Sequence, residues 1–506
     1  LTHAQARESL HLVKRISAAC AAMLLPALAL GGAGVARAVS VASHGDVRQR
    51  YVVLSPFHID GLGTPHHSRT RNELRLDVGG RFEVSRQLWM QTTLQVFDGQ
   101  VLGDEGDLSA GPDSRLWRNG SIRDDLFLRE AVIQVPIGLG EVRVGRRGGE
   151  WGSGLVVHDG RAPTSPFGDA HGGDIYNGIL VDAMPLRAFV KGRAAEAVRL
   201  HLGFDVIERD ELVDRKRGDL ALRYSAAILW DEPKTRAGFM MVHRNIDMDK
   251  AGERSDTLFD VMIHIARPIG DALEVILSAE SAALVGRTDE RTGRADDAMA
   301  TTKLRQLGVL ARAELSAPAA GLRAGLELGA ATGDSDPLDG TDTTFRFDPA
   351  FRVGMVLFED VLSRATAATR RDLLAAGTET PRSRIDAYAT GGSVSSTIYA
   401  APLVAFQTAD GSFLGHLGGL IAFAPVGLSA PDLDDKNSNP YGAGSGLLGW
   451  EVNAAAAVRV ALPETAEFSI GAQYGVFKSG PALRSVDGAA QPQLVHKWRV
   501  LADVRW

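Results

Sequence analysis

Trp498-Arg499-Val500-Leu501-Ala502-Asp503-Val504-Arg505-Trp506 is the stretch whose reading decides the fold. Trp498, Val500, Ala502, Val504 and Trp506 occupy even positions, while Lys497, Arg499, Asp503 and Arg505 occupy odd ones; Leu501 is the exception. Successive strand side chains point to opposite faces, so this segment is a strand with one apolar and one charged face. A soluble sheet could carry the same pattern. The terminal aromatic instead points to a transmembrane β-barrel, whose closing strand ends at the membrane interface where Trp is favoured.

Other stretches repeat the pattern. Glu73, Arg75 and Asp77 alternate with Leu74, Leu76 and Val78, and after a tight connection at Val84-Ser85-Arg86-Gln87 a second alternating run begins at Leu88. A polar stretch rich in turn residues follows, over 98–121. Strand, tight turn, strand and long polar loop then recur, with tight turns at Pro136-Ile137-Gly138, Asp231-Glu232-Pro233, Pro268-Ile269-Gly270 and Pro318-Ala319-Ala320. Short turns at one end and long loops at the other are the sidedness of outer-membrane barrels; a β-sandwich has no reason to sort its loops by length. From Leu448 to Val460 every second residue is apolar. That run exceeds the roughly 5–6 residues of a soluble strand and suits the roughly 9–11 of a tilted membrane strand.

The segment Gly333 to Gly392 breaks the rhythm, and Phe358 to Ala375 has helical character. Antiparallel closure lets such an insert contribute either no strand or two, giving about 18 or about 20 strands in total. The expected fold is all-β: a single antiparallel transmembrane β-barrel of about 18 strands (roughly 16–20), with a helical insert near 358–375. Residues 1–38 read as a cleaved signal peptide, with Lys14 and Arg15 before an apolar run from Ile16 to Leu30 and a small-x-small site at Ala36-Arg37-Ala38. Residues 39–506 then form the barrel, with 333–392 as a long insert in or over the lumen.

Composition bounds the function. The net charge of -7 leaves no nucleic-acid footprint. Mean hydropathy of -0.04 is what alternating strands average to, although aromatics at 6% are few for a porin. The only cysteine, Cys20, lies in the signal segment, and Ser17 stands where a lipidation motif carries a branched aliphatic residue. The mature chain therefore lacks disulfides, thiolate metal sites and cysteine nucleophiles.

A charge facing lipid at mid-bilayer costs about 2–4 kcal/mol, so the charged face of each strand is expected to line the lumen. That face carries Arg75, Asp77, Arg143, Arg147, Arg199, Arg223, Arg312, Glu314, Arg323, Glu327, Arg459, Arg499 and Arg505. With Lys497 and the remaining acids of the same faces (Glu73, Glu141, Asp205, Glu274, Glu280, Glu451, Glu467 and Asp503), the lining is balanced in sign. Inter-strand ion pairs explain this balance; two segregated charged stripes that screen solutes are the alternative. Arg129 falls on the opposite parity from Glu130 and Gln134, which predicts a bulge or a position near the interface.

Three groups of residues carry a resemblance. The first holds Leu74-Arg75-Leu76-Asp77 and Gln95-Val96-Phe97-Asp98-Gly99-Gln100-Val101-Leu102-Gly103. The second holds Val144-Gly145-Arg146, Trp151-Gly152-Ser153-Gly154, Phe167-Gly168-Asp169 and Asp174. The third is Phe347-Asp348-Pro349-Ala350-Phe351-Arg352-Val353 with Leu357-Phe358-Glu359-Asp360-Val361-Leu362. In order and spacing, from about residue 70 onward, the chain resembles an uncharacterised family of myxobacterial outer-membrane β-barrel proteins. In architecture alone it is loosely similar to alginate-export-type and porin barrels. The resemblance implies an outer-membrane location and no particular activity. The chain departs from the family pattern at Arg161 to His171, where an acidic, Asn-containing loop is expected.

The densest polar cluster lies between two strands: Glu150, Trp151, His158, Asp159, Asp169, His171 and Asp174, preceded by Arg146 and Arg147. It is either a constriction loop folded into the channel, carried by Glu150, Trp151, Asp169 and Asp174, or a solvated external loop. Asp334, Asp336 and Asp339, with Asp342, form a candidate calcium stretch on an external loop, without EF-hand spacing. No other cofactor is expected. His58, His66 and His67 read as a solvated loop rather than a transition-metal site. No catalytic constellation is present: Gly152-Ser153-Gly154 lacks the strand-to-helix elbow of a serine hydrolase, so the chain is not expected to be an enzyme.

Two readings remain open. One is a porin-like channel passing or exporting small polar solutes, since barrels of about 16–18 strands leave an aqueous pore. The other is a non-conducting structural or surface-binding barrel whose external loops engage a partner or polysaccharide. Expected partners are outer-membrane lipid and lipopolysaccharide, the barrel assembly machinery through the C-terminal strand, and a small polar solute. The location is the outer membrane of a Gram-negative bacterium, with the C-terminus on the periplasmic side.

Overall fold

The computed structural model describes residues 40–59, 65–66, 70–85, 88–103, 126–169, 172–213, 215, 218–248, 252–289, 301–335, 340–367, 390–426, 446–462, 466–483 and 494–506. The expected signal segment with Cys20, His67, His171, Asp336, Asp339 and residues 368–375 of the expected helix lie outside them.

The strands are β1 (Ser40–Leu54), β2 (Thr70–Ser85), β3 (Leu88–Gly103), β4 (Phe127–Ile137), β5 (Gly140–Gly148), β6 (Ile175–Ala183), β7 (Val198–Arg209), β8 (Leu220–Glu232), β9 (Thr235–Met248) and β10 (Gly252–Ile269). They continue as β11 (Leu273–Thr288), β12 (Thr302–Ala317), β13 (Leu322–Ala331), β14 (Thr341–Asp342), β15 (Thr397–Gln407), β16 (Phe413–Ala424), β17 (Gly446–Ala461), β18 (Glu467–Ser479) and β19 (Val495–Arg505). Consecutive strands pair antiparallel, and β1 pairs with both β2 and β19, which closes the sheet. The two-residue β14 lies outside this cycle: it pairs in parallel with the start of β12, while β13 pairs directly with β15. The wall is therefore a closed antiparallel barrel of 18 strands, with none contributed by the insert.

Alternation sets the two faces. On β2, Arg71, Glu73, Arg75 and Asp77 are buried while Val78 and Phe82 are exposed; on β19, Lys497 and Arg499 are buried while Trp498 and Val500 are exposed. The outward face is thus apolar and the inward face charged, the inverse of a soluble domain. No helix among the described residues is long and apolar enough to cross a membrane.

Several boundaries differ from the sequence reading. The sequence places a first strand over Val47 to Phe57, whereas β1 spans Ser40–Leu54, with Arg48 and Arg50 buried on its inward face. The sequence also places one strand over Ile175 to Val190, whereas β6 ends at Ala183; Pro185 lacks the N–H a ladder needs, and a 3-10 turn (Pro185–Ala188) and one helical turn (Ala194–Ala197) follow. At the long-loop end β9 and β10 form a short connection rather than a long one. The pair is carried up by the buried Arg244–Asp256 ion pair at 2.9 Å, and Gly252 supplies a φ of 127° at the bend.

Arg129 sits at a bulge. The β3–β4 register shifts between Thr93 and Leu94, with Thr93 opposite Glu130 and Leu94 opposite Leu128, so Arg129 is left unpaired in the ladder. The extra residue lets both Arg129 and Glu130 be buried, and the Arg129 guanidinium donates to the Gly172 carbonyl at 2.9 Å.

Candidate functional site: a lumen divided by a loop and an insert

The connection from Gly149 to Asp174, between β5 and β6, reaches strands all around the wall. Trp151 donates from Nε1 to Asp260 on β10 at 2.8 Å, and Ser153 N and Leu155 N donate to Glu280 on β11. On the other side, Arg75 donates to the Gly160 carbonyl at 2.7 Å, Arg50 Nε lies 2.8 Å from Asp169, Gln473 donates to the Pro166 carbonyl at 2.8 Å, and Arg499 donates to the Phe167 carbonyl at 3.1 Å. A loop that stays in solvent makes no such contacts. Its glycines serve close approach: Gly152 has a φ of 60° and sits directly under the Glu280 carboxylate, and wall residue Gly418 leaves the hollow that Phe167 fills.

The described part of the insert packs beside this loop. Asp348 N donates to the Leu155 carbonyl at 2.7 Å, and Arg352 N donates to the Thr164 hydroxyl at 2.8 Å. Its helical turn, Leu357–Leu362, is π-helical and wholly buried, and an α-helical turn continues it to residue 367. The orphan N–H groups at the start of this turn donate to a wall carboxylate: Met355 N, Val356 N and Leu357 N all reach Glu451 on β17, the last at 2.8 Å. Phe347, Phe351 and Phe358 form edge-to-face contacts with one another or with Tyr399, and the absent side chain of Gly308 makes room for Phe345.

Glu359 and Asp360 then face three buried cations. Arg499 places its guanidinium 2.8 Å and 2.9 Å from the two Glu359 oxygens. Lys497 Nζ lies 2.7 Å from each acid, and Arg71 reaches Asp360 at 3.2 Å and Glu359 at 3.4 Å. Arg71 and Arg499 both pair in register with Val52 on the intervening β1, whose short side chain leaves space for the two acids between them. Burial by itself would raise both carboxyls. Arg499 and Lys497 instead hold Glu359 well below the usual carboxylate range, and Lys497 and Arg71 hold Asp360 at about 2.

The expected lining residues divide by depth. Arg75, Asp77, Arg147, Arg223 and Arg499 are buried. Arg75 pairs with Asp77 at 2.9 Å, Arg147 with Asp205 at 2.8 Å, and Arg223 with Asp205 at 3.0 Å. Arg312 pairs with its register partner Glu327 at 2.6 Å, Arg143 with Glu141 at 2.6 Å, and Arg199 lies 3.7 Å from Asp182 and Asp231. Arg323, Arg459 and Arg505 are exposed at the short-turn rim, with looser contacts to Glu314 (3.4 Å), Glu467 (3.8 Å) and Asp46 (3.4 Å). These pairs account physically for the balanced sign of the lining.

Of the loop candidates, Trp151, Asp169 and Asp174 are held inside, while Glu150 is exposed. Burial, with Asp348 and Asp210 nearby, pushes the Asp174 carboxyl up, although the Tyr176 hydroxyl donates to it at 2.9 Å. Asp334 is the one calcium candidate of the three among the described residues, and no group of three or more potential metal ligands occurs among the described residues. Arg71, Glu359 and Asp360 complete the tightest cluster yet stood outside the expected lining, which held Lys497 and Arg499 on the charged face of the final strand. One signal was available for the acids: Phe358-Glu359-Asp360-Val361 places two charges inside an apolar run, which only buried counter-charges can stabilise.

Beside the loop and insert, an open cavity of about 1040 Å³ remains under β5 to β12. Arg147, Trp151, His201, Arg223, Asp231, His264 and Glu314 are among its lining, and it lies toward the short-turn end. The interior is therefore half filled and half open. The strained tip at Gly152 gives a direct check on the loop. Gly152→Val is expected to place a branched side chain against Glu280, in a left-handed conformation costing about 1–2 kcal/mol for any L-residue, and so to free the loop. A spin label at Ser165→Cys, in a Cys20→Ser background, should pass from an immobile to a mobile spectrum; an unchanged spectrum sinks this tether.

A closed antiparallel wall of this strand number, narrowed from within by a connecting segment, is the fold of the porin barrels. No protein-family model matches the sequence, and no curated protein matches it. Solved structures do. OpdQ of Pseudomonas aeruginosa superposes with a TM-score of 0.51 at 8% identity, covering 92% of this chain and 98% of that one. The BenF-like porin of Pseudomonas fluorescens Pf-5 gives 0.50 at 10% identity, over 92% and 98%. The outer membrane protein OprD of Pseudomonas aeruginosa matches with a TM-score of 0.48 at 9% identity, over 92% and 93%. At these identities the likeness is one of fold.

Proposed function

We propose that this chain is a porin-like channel of a Gram-negative outer membrane, passing small polar solutes, with its short turns and C-terminus facing the periplasm. The observation that carries the reading is the half-open interior: a charged cavity of about 1040 Å³ beneath a loop tied across the barrel. The fold it shares with the BenF-like porin supports it. The apolar exterior supports membrane insertion, and loops sorted by length support the orientation. The likeness to the myxobacterial barrel family rests on the quoted motifs alone.

In this reading the solute passes along the β5–β12 half, where paired charges offer exchangeable hydrogen bonds without a net field. The loop 149–174, tied to β10 and β11 at one end and to β1, β2, β18 and β19 at the other, sets the width together with the described part of the insert, which is held on β2, β17 and β19. The second reading, a non-conducting barrel that binds through its loops, is favoured by one observation: the insert is buried without a break from Ala350 to Ala365, as a permanent plug would be. Planar-bilayer recordings of refolded protein test both. Discrete, long-lived conductance steps are expected; folded protein that conducts neither with nor without the insert sinks the channel.

A further inference from the structure

The outward face of β9 to β12 changes character at its long-loop end. Phe239, Phe259, Val261, Val285, Leu307 and Val309 are exposed and form part of the apolar belt. Immediately beyond them the same face carries Arg287 on β11 and Lys303 and Arg305 on β12, all exposed. Arg287 is the register partner of Lys303, and Arg305 is the partner of Val285, so the three cations sit together on two adjacent strands. Among the described residues none of them forms an ion pair, whereas the inward arginines of this barrel are almost all paired.

The neighbouring strands continue the ledge with neutral polar groups. The Ser255 hydroxyl donates to Asn245 at 3.2 Å, and His243 lies 3.0 Å from the Thr257 hydroxyl. Ser255 is the other register partner of Arg287. A shallow cleft of about 240 Å³, lined in part by Leu222, Asn245, Ser255 and Arg287, opens beside it. The carboxylates Asp247, Glu253 and Asp289 also border this cleft on the loop side, and Asp289 accepts a hydrogen bond from the Glu253 backbone. They set the upper limit for an anion, which must sit lower, on the three cations.

We propose that Arg287, Lys303 and Arg305 bind the phosphate-bearing headgroup of a lipid in the leaflet on the long-loop side, whose acyl chains lie on the belt below. An outward cation costs about 2–4 kcal/mol at the midplane and only about 0–1 at the interface, so the edge of the lipid-facing wall tolerates these three at the depth where phosphate-bearing headgroups lie. Arginine presents a planar fork that matches phosphate oxygens. The apolar belt directly underneath distinguishes a lipid from free phosphate, which would gain nothing from it. The inference rests on membrane insertion but not on conduction, so it can fail while the channel reading stands, and the reverse.

Native mass spectrometry of the detergent-purified full chain, titrated with a diphosphorylated glucosamine-disaccharide lipid, tests it. Each cation near an anionic lipid surface is worth about fivefold in affinity, so Arg287→Gln with Lys303→Gln and Arg305→Gln is expected to weaken binding on the order of 100-fold. Arg267→Gln, an exposed outward cation at the short-turn end, is expected to change it by less than about twofold. The wild type should bind the dephosphorylated lipid far more weakly and keep the phosphorylated lipid in the presence of inorganic phosphate. Equal binding by the triple variant, or equal binding of the dephosphorylated lipid, overturns the proposal. Displacement by inorganic phosphate alone overturns the commitment to lipid.

Discussion

Glu359→Ala combined with Asp360→Ala releases the insert from the barrel wall, at an expected cost of about 3–5 kcal/mol in docking free energy. The acids are the counter-charges of Arg71, Lys497 and Arg499, all of which are buried. Removing them leaves Lys497 and Arg499 out of water without an ion-pair partner and Arg71 with Glu73 in place of three acids, and the wall regains hydration only by expelling the helical turn. Limited trypsin digestion reads this directly, since Arg352 and Arg364 are buried within the insert. Wild type should resist cleavage there and the double variant should be cut, while the barrel keeps its heat-modifiable gel mobility. Equal resistance in both proteins would show that these ion pairs do not hold the insert.

The same acids set the pH range of docking. Both carboxyls lie below their ordinary values in the folded chain, Asp360 at about 2. A depressed carboxyl stabilises the folded state above its unfolded pKa of about 4, and that stabilisation is lost as pH falls from there through about 2. Protection of the insert should therefore be flat from neutral pH down to about 5 and fall away below about 3. Loss of protection between neutrality and about pH 5 would assign docking to other groups.

Replacing residues 343–392 with a short Gly/Ser link raises single-channel conductance roughly two- to fivefold, because a barrel of about 18 strands without internal filling leaves a wide aqueous pore. The insert and its partners close the β15–β2 side, and the freed cations there become hydrated lining. Ion selectivity should shift at the same time toward anions, since Arg71, Lys497 and Arg499 lose Glu359 and Asp360. Unchanged conductance from a folded, insert-free barrel would place the insert outside the path and favour a loop that serves a partner. The two experiments separate cause from consequence: the double substitution loosens the plug, and the replacement removes it.

Much of the fold was legible because a membrane wall has a strict period. Alternation at Leu74 to Val78 and at Leu448 to Val460 can be satisfied only by strands with unlike faces, and antiparallel closure then restricts the insert to an even number of strands. Even the misfit Arg129 carried information, since a charge on the wrong parity has to be turned by an extra residue. Boundaries were less legible where polar residues continue the strand. Ser43-His44-Gly45-Asp46 in the first half of β1 carry no apolar alternation, and the β9–β10 extension depends on an ion pair between residues that nothing local marks as neighbours.

The interior was hidden for a related reason. Local sequence states which face a residue takes, and it does so strongly, because exposing a charge to lipid or burying it without a partner each costs several kcal/mol. It does not state what meets that face from across the lumen. Lys497 and Arg499 were readable as inward from the final strand alone, and nothing near them in sequence names Glu359, 140 positions away from Arg499. Only the closed barrel brings β19, β2 and the insert to one point, and only there do two acids inside an apolar run become the counter-charges of a wall. Thus Trp498 to Trp506 by itself determined a two-faced strand with charges turned inward. Tertiary closure decided that those charges hold a plug on one side and leave a cavity on the other.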